Sequence, residues 1–117
     1  MPAPADPGRP DRVDGFESAE IGRQLRADLD DAVQQAAALE AEFTGLLADE
    51  DAIQEDRDAS AILLSHARER LVEAQRAVER FDAGLYGMCV QCNQPIGAAR
   101  LAAIVGVERC VACQTLR

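Results

Sequence analysis

A chain of 117 residues has room for one domain, or for an elongated element with a small module attached, and it buries little core. That size argues against a large enzyme pocket, and a formal charge of −9 argues against a general nucleic-acid binder, whose phosphate contacts need clustered cations. Aromatic residues are confined to Phe16, Phe43, Phe81 and Tyr86, so the volume of any core must come from Leu, Val, Ile and Ala, a composition suited to long helices packed at close range.

No apolar run approaches the roughly 18 to 20 residues that span a bilayer. The N-terminus lacks the basic start and apolar stretch of a signal peptide. A cytoplasmic location is expected, and in that reducing compartment four cysteines read as metal ligands rather than disulfides.

Residues 1–15 hold four of the five Pro and two Gly, with one isolated Val, and read as a disordered leader. Residues 17–47 and roughly 52–82 read as two helices. In the first, Leu25, Leu29, Ala32, Ala36, Leu39, Phe43 and Leu46 recur in alternating steps of four and three, the mark of a heptad seam. Leu64, Ala67, Leu71, Ala74, Val78 and Phe81 follow the same alternation in the second, with Ile53 and Ser60 further back on that stripe. Asp14 with Glu17, and Asp51 with Gln54, resemble capping boxes. Gly45 weakens the end of the first helix, and Gly84 stands where a left-handed residue closes the second.

A short turn between two matched seams makes the helices antiparallel neighbours. The expected fold is mostly α: an antiparallel coiled-coil hairpin over 16–83, joined to a small four-Cys zinc-finger module with a short helix over 84–117. Thirty residues of helix span about 45 Å. A compact bundle, or a dimer of two hairpins, is the alternative packing for a narrow Ala-rich seam. The turn, near 48–58, is acidic: between Asp49 and Asp58 there are six carboxylates and one Arg. Taken alone such a segment reads as a solvated turn whose carboxylates favour a helix N-terminus. The functional reading is an acidic tip carrying Asp49, Asp51, Asp56 and Asp58.

Cys89, Cys92, Cys110 and Cys113 form C-x2-C-x17-C-x2-C, within the spacing expected of a four-thiolate zinc site. Two residues between paired thiolates let both sulfurs reach one metal, and two such knuckles complete a tetrahedron. A site filled by four protein ligands leaves no place for a bound water, so one structural Zn2+ is expected. A redox dithiol pair and an iron–sulfur cluster are the alternatives, and the paired spacing suits zinc better. His66 is the lone histidine, falls inside the second helix and reads as a solvated surface residue.

The run Gly84-Leu85-Tyr86-Gly87-Met88-Cys89, then Cys92-Asn93-Gln94-Pro95-Ile96, Arg100-Leu101-Ala102-Ala103 and Cys110-Val111-Ala112-Cys113 resembles the DksA/TraR zinc-finger proteins. With the helical hairpin the resemblance covers most of residues 20–117. It implies a bacterial transcription factor that binds RNA polymerase and not DNA, inserting its coiled coil into the secondary channel. In the best-known member, tip acids in a D-x-x-D-x-A pattern approach the catalytic region, and guanosine tetraphosphate strengthens the effect. This chain lacks that pattern. Glu55, Asp58 and Ser60 come nearest, whereas counting back from Cys89 lands on Asp49 and Leu46. It also stops four residues after Cys113, where that member continues into a C-terminal helix, which puts contacts linked to the nucleotide in question. A stress-related zinc-binding adaptor, pairing with a helical partner through the hairpin, is the competing reading. An enzyme is not expected, because one His and a closed metal site assemble no acid, base and nucleophile set.

Overall fold

A computed structural model of the chain describes residues 15–115. Of the expected leader, residues 1–15, all but Gly15 lie outside the described residues, as does the Asp14–Glu17 cap; Gly15 begins the first helix instead of ending the leader. Four helices follow in order: α1, Gly15–Ala48; α2, Gln54–Asp82; α3, Ala98–Ala103; and α4, Val111–Thr115. The chain divides into two compact units, Arg26–Arg76 on the one hand and the residues up to Leu25 with Ala77–Arg117 on the other.

In the Arg26–Arg76 unit the two long helices run antiparallel. Arg70 reaches Asp28 at 2.7 Å and Gln35 at 2.8 Å, Arg68 pairs with Glu40, and Arg57 reaches the Leu46 carbonyl at 3.0 Å, so partners converge in sequence towards the turn. The alternation of three and four has a direct result: Ala32, Ala36, Ser60, Leu64, Ala67 and Ala74 are buried between the helices. Leu29, Leu39, Phe43, Leu46 and Leu71 flank them half-buried. Alanine at the contact lets two helices approach closely but supplies little apolar area. Leu64, only 4 % exposed, therefore carries a large share of this seam, about 1.5 to 3 kcal/mol for a fully buried Leu. The exposed Arg68–Glu40 pair adds about 0 to 1 kcal/mol.

Two expectations fail at the start of α2. Ile53 is 56 % exposed and precedes the helix instead of joining the stripe. Its carbonyl accepts the N–H groups of Asp56 and Arg57 at 3.1 and 3.3 Å, so it serves the helix through its backbone. Nor do Asp51 and Gln54 form a capping box. Gln54 is the first helical residue and its amide donates forward to Asp58 Oδ1 at 2.7 Å, while Asp51 donates its own N–H to Asp49 Oδ1 at 2.9 Å. The turn is closed by Asp49, and that moves the helix start beyond the reach of Asp51.

In the second unit Leu25, Ala77 and Val78 are buried. Gly22 is buried too, and a Cβ there would stand 2.8 Å from Cε2 and 2.9 Å from Cζ of Phe81. α2 closes as its glycine predicts: Gly84 has φ +78°, Leu85 N–H donates to the Arg80 carbonyl at 2.8 Å, and Gly84 N–H to that of Phe81 at 3.1 Å. These are the two bonds of a Schellman ending.

Candidate metal centre

The stretch after Gly84 is pinned from α2. Arg80, in its last turn, donates Nη2 to the Leu85 carbonyl at 3.2 Å and to that of Met88. The Phe81 and Tyr86 rings meet edge to face, 6.3 Å between centroids and 67° between planes. The Tyr86 hydroxyl accepts the Gly106 N–H at 3.0 Å, and Gly106 lies against Ala77, where an added Cβ would come within 3.5 Å of the alanine Cβ. One aromatic thus ties two distant loops of the module to the helix. Burial pushes the Tyr86 hydroxyl above its ordinary pKa of 10.0, against the opposing pull of the Gly106 N–H and the Arg80 charge.

The first knuckle is a tight loop. Met88 and Pro95 form an antiparallel bridge, Ile96 N–H reaches the Gly87 carbonyl at 2.9 Å, and Cys89 N–H reaches that of Gln94 at 2.8 Å. Asn93 N–H returns to the Cys89 carbonyl at 3.0 Å, and Asn93 has φ +63°, a left-handed conformation that Asn tolerates better than most residues. The second knuckle leads into α4, and Gln114 N–H donates to the Cys110 carbonyl at 2.9 Å, placing Cys110 and Cys113 one helical turn apart. Val90 N–H, bonded to the Glu108 carbonyl at 2.9 Å, joins the two knuckles, and Arg100 Nε holds the Arg109 carbonyl at 2.9 Å.

All four sulfurs end within 4.8 Å of one another. Tetrahedral donors about 2.3 Å from a zinc ion stand about 3.8 Å apart, and Cys92 Sγ to Cys110 Sγ measures 3.7 Å. The cysteines are unpaired thiols. Cys89 and Cys113 are buried with Ile96 and Val107, and Leu101 and Cys110 pack against them, so the prospective ligands are also much of the module's core.

The charge state of this cluster points the same way. Burial raises the Cys89 thiol, but N–H groups of Cys92, Cys110 and Gln91 outweigh it and bring the pKa down to about 5. Burial, then the three neighbouring sulfurs, push Cys113 up to about 12. At Cys92 the Gln94 N–H pulls down, yet burial and the sulfurs of Cys89 and Cys110 leave the thiol raised. One thiolate is welcome and further ones repel it. A divalent cation with a preference for sulfur resolves that conflict, because it stabilises all four thiolates together.

Of the acidic residues singled out in the sequence, Asp49 and Asp51 lie in the exposed turn, and Asp56 and Asp58 in the exposed first turns of α2. All four belong to the Arg26–Arg76 unit, and the cysteines to the other. His66 is exposed. Sequence reasoning missed the Arg80 clamp, the Tyr86–Gly106 bond and the burial of Gly22 and Ala77. A small residue on each helix, Gly22 one step before Leu25 in α1 and Ala77 next to Val78 in α2, was the available signal for the last two.

Residues 84–117 match the prokaryotic dksA/traR C4-type zinc finger. Such a finger, with its four cysteines clustered, is the site of one structural zinc ion. Among solved structures, the chain is similar to the transcription factor DksA2 from Pseudomonas aeruginosa, with a TM-score of 0.76 and 21 % identity over 88 % of this chain and 84 % of that one. At that identity the likeness concerns the fold, a helical hairpin carrying a small finger. A comparison with curated proteins found no match. No helix among the described residues is long and apolar enough to cross a membrane.

Proposed function

We propose that this chain, whose residues 84–117 are a zinc finger of the dksA/traR type, is a bacterial transcription regulator. It works in the cytoplasm, binds RNA polymerase without binding DNA directly, and inserts the tip of its hairpin into the secondary channel. The observation that carries this reading is the combination of that finger with a seam-packed hairpin whose turn is acidic and exposed. Cys89, Cys92, Cys110 and Cys113 hold the zinc, which supplies cross-linking and no open coordination position. The protein acts by occupancy and charge rather than as an enzyme. Asp49, Asp51, Asp56 and Asp58 bring carboxylates to a catalytic region where bound metal magnifies their effect.

The adaptor reading keeps one observation in its favour: Ile62, Leu63 and Val72 of α2 are exposed. The seam itself cannot serve a partner, because Leu64, Ala67 and Ala74 already spend it within the chain. A pull-down against purified core RNA polymerase, with competition by a known secondary-channel occupant, separates the two. Binding that the competitor displaces is expected. Asn at all four tip positions is then expected to keep binding and remove the transcriptional effect, assayed with and without guanosine tetraphosphate. A folded quadruple variant that still shifts promoter output would assign the acidic segment to solvation alone, and absence of binding would leave the adaptor reading.

A further inference from the structure

The carbonyls that end a helix have no intrahelical donors and must find others. At the end of α1 a side chain from the opposite helix reaches one of them, the Leu46 carbonyl, and also the Asp49 carbonyl just past the helix. Arg57 donates Nε to the Leu46 carbonyl at 3.0 Å and Nη2 to the Asp49 carbonyl at 2.7 Å. The Asp49 carbonyl also accepts the Ala52 N–H at 3.2 Å, and Asp49 Oδ1 accepts the Asp51 N–H at 2.9 Å. Arg57 is the lone cation among six carboxylates of the segment from Asp49 to Asp58, yet these two donors go to main-chain carbonyls. It is half-buried, unlike the acids on either side of it.

We infer that Arg57 is the positioning residue of the tip: its guanidinium joins the end of α1 to the start of α2 and holds the turn from Asp49 to Ala52 in one backbone conformation. Its consequence for transcription rests on the regulatory reading above, whereas its geometry does not. The planar fork is what the arrangement uses. Two donors at a fixed angle reach carbonyls three residues apart, on the last turn of a helix and on the turn beyond it. A lysine ammonium keeps the charge, which also suits a helix C-terminus, but lacks the fork. Removing the clamp leaves the tip its full set of carboxylates while freeing the main chain that carries them.

The test compares the zinc-loaded full chain with Arg57→Ala and Arg57→Lys, after circular dichroism has shown unchanged helicity. Amide hydrogen exchange at Asp51 and Ala52 is expected to be about tenfold faster in both variants, the effect of losing one charge-assisted bond at the turn. Exchange at Cys89 and Ile96 should not change. Affinity for core polymerase should stay within about twofold, since both broken hydrogen bonds are internal to the chain, while the maximal transcriptional effect at saturating protein falls by more than half. Unchanged exchange in Arg57→Ala would overturn the clamp. Full recovery by Arg57→Lys would overturn the fork and leave charge alone. Faster exchange with an undiminished transcriptional effect would overturn the positioning role. Failure of the wild type to bind polymerase would overturn the regulatory reading alone, because the exchange measurement needs no polymerase.

Discussion

Two glycines inside α1 separate packing from helix propensity. Replacing Gly by Ala in a helix interior gains about 1 kcal/mol of intrinsic propensity wherever the new methyl group finds space. Gly45 has such space, with no atom within 4 Å of a Cβ built on it apart from the chain neighbours and the adjoining helix backbone. Gly45→Ala is therefore expected to stabilise the zinc-loaded protein by about 0.5 to 1 kcal/mol. At Gly22 the same methyl group would lie 2.8 Å from a ring carbon of Phe81, closer than carbon atoms approach, so the ring must move. The half-buried ring can swing outward, but it then loses its edge-to-face contact with Tyr86, about 0.5 to 1.5 kcal/mol. It also gives up part of its burial, about 1 kcal/mol more. The propensity gain is exceeded, so Gly22→Ala is expected to be about 0.5 to 2 kcal/mol destabilising. The difference between the two variants, about 1.5 to 2.5 kcal/mol, isolates the contact because the propensity gain is common to both. Urea unfolding followed by circular dichroism, with equal slopes, measures it. Equal stabilisation by both substitutions would refute the tight approach of α1 to Phe81.

Chelation of the zinc should unfold the finger while the hairpin keeps much of its helicity, because the ligands are much of the finger's core and their binding energy is also folding energy; Cys110→Ser with Cys113→Ser should do the same, and metal analysis should give one zinc per chain. Leu64→Ala should cost about 2 to 4 kcal/mol, and the half-buried Leu39→Ala and Leu71→Ala about 2 or less, so equal melts for all three would mean that the seam is misplaced. Tyr86 has a folded pKa raised above 10.0, so its neutral form is preferred in the fold, its contribution is complete below that pH and is lost as pH rises through the folded value. Denaturant titrations at alkaline pH should show that loss in the wild type and not in Tyr86→Phe, which should itself cost about 1 kcal/mol at neutral pH through the stranded Gly106 N–H.

The seam was readable because burial between two helices imposes a period, and Leu25, Ala32, Ala36, Leu64, Ala67, Ala74 and Val78 obey it. The sulfur cluster was readable because paired knuckles constrain spacing as strongly as they constrain geometry. What stayed hidden involves groups whose partners are not fixed by sequence distance. Asp49 and Asp51 look alike in a string of acids, and only the closed turn shows that Asp49 caps it and that α2 begins too late for Asp51. Arg57 and Arg80 are long side chains that select main-chain carbonyls, and no periodicity marks a carbonyl. Gly22 continues the stripe one step before Leu25, but a residue with no side chain adds nothing to an apolar pattern, and its burial comes from Phe81; Ala77 sits beside the stripe of α2, against Gly106. The buried Ser60 hydroxyl, without a hydrogen-bond partner, is a polar atom at a position that the pattern assigns to the core.

The seam also fixes how this hairpin can vary in reach. Its packing repeats every seven residues on each helix, so deleting one heptad from α1 and the facing heptad from α2 restores the same set of neighbours, with each helix shorter by about 10.5 Å. Deleting seven residues from one helix alone would slide Arg70 past Asp28 and Arg68 past Glu40, and the turn would no longer bring Arg57 to Leu46. Removing three or four from both would rotate Ala and Leu out of the contact. Length in such a hairpin is therefore quantised, and a regulator built on it would change the depth of its insertion in whole heptads.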